Sequence, residues 1–88
     1  MAKFKRLPVV VEAEQYNLSE LEKNEKKTDY FIEKYKIYYD HEQLEVMIPT
    51  NMGNRVLSNG DWIITGIKGE IDICRYDLFE KYYEPVTE

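Results

Sequence analysis

The stretch of sequence that decides the fold reads Asn59-Gly-Asp-Trp-Ile-Ile-Thr-Gly-Ile-Lys-Gly-Glu70. An Asn-Gly pair flanked by branched and aromatic residues is a strong hairpin signal, because a two-residue type I′ turn needs positive φ at both positions. We therefore predict a hairpin tip at Asn59-Gly60. In the strand that follows, Trp62 and Ile64 share one face, since side chains alternate with a period of two.

A second chain reversal is predicted directly after this strand. Gly66 and Gly69 bracket the reversal, and Ile71 and Ile73 then place two branched side chains on one face of the next strand. Together these elements predict an antiparallel β-meander over Leu44–Tyr83.

The N-terminal part of the chain adds one more strand. Three consecutive valines favour extended backbone, which predicts a strand over Leu7–Tyr16. Pro8 has no amide proton, so it is expected at the start of this strand or on a sheet edge. The uncharged edge at Val9–Val11 would also allow pairing with a second copy of the chain, and hence a homodimer.

A first helix is predicted after this strand. Asn17 or Ser19 can cap its N-terminus, since each is followed three residues later by a glutamate. The stretch Glu22–Lys27 has no apolar residues to continue a buried stripe. The helix is therefore expected to be short or interrupted.

A second periodic stretch follows. Its apolar residues at helical spacing are Phe31, Ile32 and Tyr35. This spacing favours a helix to about Lys34, with Thr28 or Asp29 as its cap. Tyr30–Tyr39 is also rich in strand-forming residues, so Tyr30–Tyr35 is left open as helix or strand.

The remaining segments are short. In order, they are predicted as extended Ile37–Tyr39, a turn at Asp40–Glu42, a strand over Leu44–Ile48 ended by Pro49, a loop over Thr50–Asn54 and a strand over Arg55–Ser58. Tyr76–Tyr83 closes the chain with apolar residues at helical spacing. It is predicted as a helix of one or two turns that plugs an open end of the sheet.

These elements predict an α+β fold for residues 1–88. We expect a single domain, because so short a chain has apolar surface for one core only. The antiparallel meander is expected to be curled or partly barrelled and to be joined by the N-terminal strand. The short or broken helical region Leu18–Lys34 would then cover one face of the sheet.

Charge and composition exclude several classes of partner. The formal net charge of −5 at pH 7 repels a phosphate backbone, and the one basic cluster is Lys3, Lys5 and Arg6. No apolar run approaches the roughly 20 residues that cross a bilayer. The single cysteine, Cys74, agrees with a reducing compartment. We therefore expect a cytoplasmic protein that binds neither nucleic acid nor membrane.

No catalytic constellation emerges from the residue pattern. Asp40-His41-Glu42 places an imidazole between two carboxylates, but adjacent residues on a turn neither converge on one metal nor supply a nucleophile. Cys74 shares a strand face with Asp72, and no basic residue on that face is evident to lower its pKa. We expect no catalytic residue, no metal and no cofactor, and an enzyme is the less favoured class.

Tyrosine is over-represented, with eight among 88 residues. A tyrosine offers a large contact area and a hydroxyl at little entropic cost, and is therefore enriched at interfaces. A protein of this size is not expected to bury all eight. We predict an aromatic and acidic partner-binding surface made of Tyr38, Tyr39, Tyr76, Asp77, Glu80 and Glu84. Trp62 is expected in the core, with a ligand platform as the alternative.

The sequence resembles a family of small uncharacterised proteins encoded by phages and prophages, mainly of Gram-positive bacteria. The resemblance rests on Pro8–Tyr16 and on Gly60–Glu70, the latter running into Asp77–Glu80 and Tyr83–Val86. The C-terminal end also resembles a small domain family named for a Pro-Gly-Asp-Tyr-Gly motif, with Asn59, Trp62 and Ile63 in place of its Pro, Tyr and last Gly. The resemblance implies an accessory protein made inside an infected bacterium, and it brings no activity or catalytic residue.

These features favour a non-catalytic protein that binds and modulates a host protein, such as a defence component or a nucleic-acid enzyme. An acidic, tyrosine-rich face suits a basic surface on that protein. The alternative is sequestration of a nucleotide-like small molecule, whose base would stack on Trp62 and whose phosphate would bind Lys68. A minor structural role in the phage particle is a further alternative.

Overall fold

The computed structural model describes residues 2–4 and 9–86. Within these ranges the elements are, in chain order, β1 (Glu12–Gln15), α1 (Leu18–Leu21), α2 (Glu25–Tyr35), β2 (Tyr38–Asp40), β3 (Glu45–Thr50), β4 (Gly53–Val56), β5 (Trp62–Thr65), β6 (Ile71–Cys74) and α3 (Tyr76–Tyr82). The chain thus combines antiparallel strands with three helices, which is the predicted α+β class. None of the described helices is both long and apolar enough to cross a bilayer.

The strands form two sheets rather than one continuous meander. The first sheet has the order β1-β5-β6 and the second the order β2-β3-β4, and every neighbouring pair is antiparallel. The two sheets touch where the Asn51 amide donates to the Ile71 carbonyl at 3.0 Å and Arg55 pairs with Asp72 at 3.1 Å. The described strands do not close into a barrel.

The hairpin tip predicted at Asn59-Gly60 is wrong, because β4 and β5 belong to different sheets. A turn does form there: the Asp61 amide donates to the Ser58 carbonyl at 3.1 Å, and Gly60 has φ +93°. Asn59 is not at positive φ, so the type I′ conformation is not adopted. The turn carries the chain from the second sheet to the first.

This turn also holds the start of the helical region. The Gly60 amide donates to the Tyr16 carbonyl at 2.7 Å, and the Tyr16 amide donates to the Asp61 carbonyl at 2.8 Å. The Asn59 side chain accepts the Leu18 amide at 2.9 Å, across 41 positions of the sequence. The Asn-Gly pair therefore anchors the strand-to-helix junction after β1.

The second predicted reversal is confirmed. The Gly66 amide donates to the Glu70 carbonyl at 2.9 Å, and Gly69 takes φ +82° inside the turn. The register then pairs Thr65 with Ile71 and Ile63 with Ile73. Gly66–Glu70 is thus the connection of the β5–β6 hairpin.

The N-terminal strand is shorter than predicted. β1 pairs only with the four residues of β5, so its ladder begins where Glu12 faces Thr65. The Val9–Val11 part of the predicted strand is therefore wrong; Val9 and Val10 are exposed and lie outside any strand. Leu7 and Pro8 lie outside the described residues.

The predicted helical region Leu18–Lys34 is divided into two separate helices, α1 and α2. Asn17 caps α1 by accepting a backbone amide of its first turn at 3.2 Å, and Asn24 caps α2 in the same way at 3.1 Å. The Thr28 or Asp29 cap predicted for the second helix is wrong, because Asn24 starts it earlier. The Tyr30–Tyr35 segment is helical.

The β3–β4 hairpin also departs from prediction. Leu44 adopts φ +57° in the turn before β3, so the strand begins one residue later than expected. Pro49 does not end β3, which runs on to Thr50. β2 pairs only with Glu45–Met47, so no strand on that side needs the missing proline amide.

β4 begins earlier than predicted. It covers Gly53–Val56 instead of Arg55–Ser58, and the predicted Thr50–Asn54 loop is a tight turn in which Gly53 has φ +100°. Thr50 faces Gly53 across this turn, and the Thr50 hydroxyl donates to the Gly53 carbonyl at 2.6 Å. This hydrogen bond closes the turn, so the connection between β3 and β4 is shorter than the predicted loop.

The core lies between the two sheets and the first two helices. Its buried members are Tyr16, Leu21, Phe31, Tyr35, Ile37, Ile48, Leu57 and Ile63, with Val46, Ile71 and Ile73 packed against them. Ile63 faces this core, whereas Trp62 lies on the opposite face of β5, by strand alternation. α3 packs on that opposite face through Phe79, rather than at an open end of the sheet.

Candidate functional site

An apolar groove of about 390 Å³ opens between α1 and α2 on one side and β2 and β3 on the other. Its floor consists of the core side chains Tyr16, Leu21, Phe31, Ile37 and Val46. Its rim carries the half-exposed apolar side chains Leu18, Ile32, Tyr38 and Tyr39. Two polar residues, Glu22 and Thr28, complete the lining. The groove is therefore an open apolar depression above side chains that are themselves buried.

α2 presents two different stripes to this region. Phe31 and Tyr35, four residues apart, are buried in the core. Thr28 and Ile32, also four apart, lie on the neighbouring stripe and line the groove. Ile32 keeps 48% of its surface exposed. The apolar face of α2 is thus wider than the part that packs in the core, and Ile32 lies at the groove rim.

Side-chain bonds hold the two helices together at the groove. The Thr28 hydroxyl donates to the Leu21 carbonyl at 2.9 Å, across the junction between α1 and α2. Lys27 forms an ion pair with Glu20 of α1. Because Asn59 fixes the first amide of α1, the groove wall is tied to the turn between the sheets.

The chain reaches the opposite wall through a left-handed residue. Lys36 has φ +59°, and its amide donates to the Ile32 carbonyl at 2.9 Å, ending α2. A left-handed cap is usually a glycine, so a lysine here carries backbone strain. The sharp turn places Ile37 in the core and starts β2 at Tyr38.

β2 borders the groove and is the outer strand of the second sheet. Tyr38 and Tyr39 are consecutive in β2, so their side chains leave on opposite faces of the sheet. Tyr39 is paired with Val46, which also lines the groove, so the groove lies over that face of the second sheet. Tyr38 lines the groove as well, although its strand partner Met47 does not.

A polar cluster fastens α2 to β1 beside the core. The Tyr30 hydroxyl donates to Glu14 Oε1 at 2.7 Å, and Lys34 Nζ donates to the same oxygen at 3.3 Å. Burial raises the pKa of Glu14, but the hydrogen bonds from Tyr30 and Lys34 and the charge of Lys34 outweigh it and leave that pKa below its usual value. Burial, followed by the charge of Glu14, raises the pKa of Tyr35 to about 12.

Charged residues of both signs lie near the groove. Glu22 is on its wall, and within residues 2–4 and 9–86 it forms no ion pair. Lys23 and Lys36 are sequence neighbours of the lining residues Glu22 and Ile37. No lysine or arginine is itself among the lining residues. The lining is thus apolar with one charged residue, Glu22.

A second aromatic region, here called the α3 surface, consists of Trp62, Tyr76, Phe79 and Tyr83. Phe79 stacks on Trp62 with ring centroids 4.0 Å apart and planes at 8°, and Tyr83 stacks on Phe79 at 5.2 Å. A Cβ at Gly60 would lie 3.4 Å from that of Tyr76. No residue of α3, which the structure describes throughout, is buried. The rings of Trp62, Phe79 and Tyr83 cover one another, whereas Tyr76 is 62% exposed.

The structure divides the predicted partner-binding surface in two. Tyr38 and Tyr39 lie at the groove rim, whereas Tyr76, Asp77, Glu80 and Glu84 lie in or directly after α3. Because Phe31 and Phe79 pack on opposite faces of the first sheet, the two sets are not brought together. Asp77 forms an exposed ion pair with Arg75 at 3.0 Å.

The ligand site proposed for Trp62 and Lys68 is not assembled either. Phe79 covers one face of the Trp62 indole, so Trp62 is half-buried outside the main core rather than inside it. Lys68 lies in the exposed turn beyond the other end of β5. Four strand residues at about 3.3 Å each separate their backbones by roughly 10 Å or more.

The residues singled out for chemistry lie apart. His41 packs edge-on against Tyr39 with ring centroids 4.8 Å apart. Burial, and then the charges of Asp61, Asp72 and Asp77, raise the pKa of the Cys74 thiol. In the part of the chain that the structure describes, no three His, Cys, Asp or Glu side chains gather as a metal site would require.

Of the four rim residues of the groove, Leu18 and Ile32 are the two that sequence reasoning did not single out as binding residues. Each was assigned to a helical apolar stripe, and nothing local distinguishes a rim residue from a core residue. One feature of the sequence does distinguish them: Ile32 directly follows Phe31, and adjacent residues of a helix point in different directions, so both cannot pack in the same part of the core. No known protein family, curated protein or solved structure matches this chain.

Proposed function

We propose that the protein is a non-catalytic accessory protein of a phage or prophage that binds a protein of the bacterial host and modulates it. The observation that carries this proposal is the open apolar groove, whose rim side chains Leu18, Ile32, Tyr38 and Tyr39 remain half-exposed above a buried floor. The phage context is supported by the resemblance of Pro8–Tyr16 and Gly60–Glu70, and it implies action in the cytoplasm of an infected or lysogenic bacterium.

The groove has the features of a protein-binding surface. Contiguous exposed apolar side chains with polar residues at the margin are typical of interaction sites, and aromatic residues dominate the energetics of such sites. The walls are held by hydrogen bonds and the floor is core, so little conformational entropy would be lost on binding.

The charge distribution selects the kind of partner. Glu22 lines the groove without an ion-pair partner among the described residues, and the whole chain carries −5. Such a field attracts basic surfaces and repels acidic ones, and it accelerates encounter more than it strengthens the complex. The partner is therefore a host protein whose contact surface combines apolar and basic side chains.

The test compares two lysine substitutions of exposed isoleucines. Ile32→Lys places a charge on the groove rim, whereas Ile67→Lys, at a side chain 79% exposed in the β5–β6 turn, is the matched control. Tagged forms of both variants and of the unsubstituted protein are recovered gently from a Gram-positive host lysate and weighed by native mass spectrometry. We expect one host protein in stoichiometric complex with the unsubstituted protein and the control, and its loss with Ile32→Lys.

Two results would overturn the proposal. A host protein bound equally by Ile32→Lys would move the interaction away from the groove. An adduct of a few hundred daltons in place of a protein would indicate small-molecule sequestration. Circular dichroism of Ile32→Lys shows whether the variant folds, and Leu18→Lys is a second rim substitution if it does not.

A further inference from the structure

The outer edge of β1 carries backbone groups that no described strand pairs. β1 is an outer strand of the first sheet, with β5 on its one paired side. The Tyr16 amide donates to the Asp61 carbonyl, and the residues that bond to one neighbour alternate along an antiparallel strand. The even-numbered residues of this stretch therefore face β5. The odd-numbered residues Val11, Ala13 and Gln15 turn their amides and carbonyls to the open side of the sheet.

The residues just before β1 have the composition of a strand without a strand partner. The segment Val9–Val11 consists of branched residues that favour extended backbone, and the first two of them are 62% and 66% exposed. β5 cannot pair with them, because Glu12 already faces its last residue, Thr65, and the chain turns back at Gly66. A strand added along the open edge of β1 would supply the missing partner.

The order of charges along this stretch complements a copy of itself. In the sequence, the charged residues before the valines are Lys3, Lys5 and Arg6, and those directly after the valines are Glu12 and Glu14. Antiparallel pairing directs the basic side of each copy towards the acidic side of the other, whereas parallel pairing would align like charges. The edge therefore suits a second copy of the chain in the antiparallel orientation.

We propose that a second copy of the chain pairs antiparallel with the open edge of β1, with the two-fold axis at Val11. The two first sheets would then join into one sheet across the dimer. Val11 would lie beside its own copy and Val9 beside the partner's Ala13, which forms an apolar row across the two strands. Val9–Gln15 do not line the groove, so the inference goes beyond the proposed function and does not depend on it.

The position of the axis follows from the glutamates. Like charges directly opposite one another destabilise a strand pair. An axis at Ala13 would oppose Glu12 to the partner's Glu14, and an axis at Glu12 would oppose that glutamate to its own copy. An axis at Val11 opposes Glu12 to the partner's Val10 instead. An axis nearer the N-terminus would shorten the overlap of the two strands.

The test is sedimentation velocity of the full chain at concentrations from well below to well above the micromolar range. A strand pair of this length is a small interface, below about 1,200 Å² in total, so we expect a reversible dimer with a dissociation constant on the order of 10 μM.

Val11→Lys and Val10→Lys form a matched pair of substitutions, and neither residue pairs with β5. In Val11→Lys the new lysines of the two copies face each other, so we expect the dissociation constant to rise about fivefold or more. In Val10→Lys the lysine faces the partner's Glu12, so the dimer should be kept or become tighter, most clearly at low salt. Circular dichroism shows that both variants fold.

A second measurement needs no substitution. Residue-resolved amide exchange of the unsubstituted protein should become slower for Val11 and Ala13 as the concentration is raised, because their amides gain partners in the dimer. The Glu14 amide, already bonded to β5, should change less.

Several results would overturn the inference. They are a monomer over the whole concentration range, a dimer that Val11→Lys leaves intact, and a dimer that Ile32→Lys disrupts instead, which would assign the contact to the groove. Loss of the dimer in Val10→Lys but not in Val11→Lys would overturn the register. Capture of a host protein through Ile32 is a separate observation, so the proposed function stands or falls independently.

Discussion

The molecule exposes aromatic side chains in two regions, and the regions differ in what lies beneath them. At the groove, Tyr38 and Tyr39 stand over core residues, and Phe31 below them is only 1% exposed. On the α3 surface the rings of Phe79 and Tyr83 lie on Trp62 and on each other, and no residue of the helix is buried. Exposure alone therefore does not identify a binding surface: Tyr76 and Tyr82 of α3 are 62% and 71% exposed, more than Tyr38 and Tyr39, but the groove tyrosines border an apolar depression with a buried floor.

The largest expected effect comes from removing one phenylalanine from each region. Phe31→Ala should lower the free energy of unfolding by about 3–5 kcal/mol, because a fully packed side chain leaves a cavity. Phe79→Ala removes a half-buried ring and its stacking contacts with Trp62 and Tyr83, and should cost about 1–2 kcal/mol. Urea unfolding of both variants measures the difference.

Equal losses for the two phenylalanines would contradict the contrast between the regions. A chain of this length has a stability of only about 4–13 kcal/mol, so at the lower end of that range the loss in Phe31→Ala equals the whole stability of the protein. Phe31→Leu, which retains most of the volume, then gives a measurable and smaller loss.

The helix ends offer a second contrast, with effects of opposite sign. Lys36→Gly should raise the free energy of unfolding by about 1 kcal/mol, because glycine relieves the left-handed backbone at the end of α2. Tyr83 at the end of α3 has extended backbone, so Tyr83→Gly relieves nothing and loses the ring stacked on Phe79. Thermal and urea unfolding report both signs, and a loss of stability in Lys36→Gly would show that its side chain matters more than its backbone.

The cluster that fastens α2 to β1 gives a pH dependence. The folded-state pKa of Glu14 lies below its usual 4.5, so the stability it contributes is fully present above that pH and is lost as the pH falls through the folded-state value. The contribution is about 0.5–1 kcal/mol, since the pair is partly exposed. Tyr30→Phe removes the hydroxyl and should reduce the fall in the urea midpoint between about pH 6 and about pH 3.

Asp77→Asn is the matched control for this cluster. It removes the exposed Arg75 ion pair on the α3 side, and should change stability by less than about 0.5 kcal/mol. A wild-type fall that Tyr30→Phe leaves unchanged would show that other carboxylates govern the acid transition.

The smallest effect concerns the face of the first sheet that carries α3. Burial and the charges of Asp61, Asp72 and Asp77 raise the pKa of Cys74 above its usual 9.0, so the thiol is protonated at neutral pH. Alkylation by iodoacetamide should be slower than that of a free cysteine and should accelerate as the pH rises past that value. Asp72→Asn should speed alkylation a few-fold at intermediate pH, and rapid reaction of the unsubstituted protein at neutral pH would contradict this description.

Local turn and cap chemistry made part of this fold predictable. The Gly66–Glu70 reversal and the cap of α1 depend on residues that are neighbours in sequence. The reversal was predicted correctly, and the observed cap, Asn17, is one of the two predicted for that helix. Asn59-Gly60 has equally strong local chemistry, but its partners are Tyr16 and Leu18, far away in the chain. Tertiary hydrogen bonds decided what that turn connects, and the local pattern held no information about them.

The candidate site was also predictable only in part, because its position depends on tertiary packing. Composition pointed to Tyr38 and Tyr39, which do line the groove. Composition could not show that Tyr76 lies elsewhere, because only the packing of the helices on the two faces of the first sheet places Tyr76 away from the groove. Ile32 becomes a rim residue through the position of β2 beside α2, which depends on the turn at Lys36.

The most direct test of the groove as the binding site is hydrogen–deuterium exchange of the protein, alone and with the captured host protein. We expect slower exchange in the complex for the amides of Tyr38–Asp40, and unchanged exchange over α3. Protection confined to Tyr76–Tyr82, with β2 unaffected, would place the partner on the α3 surface and contradict the groove.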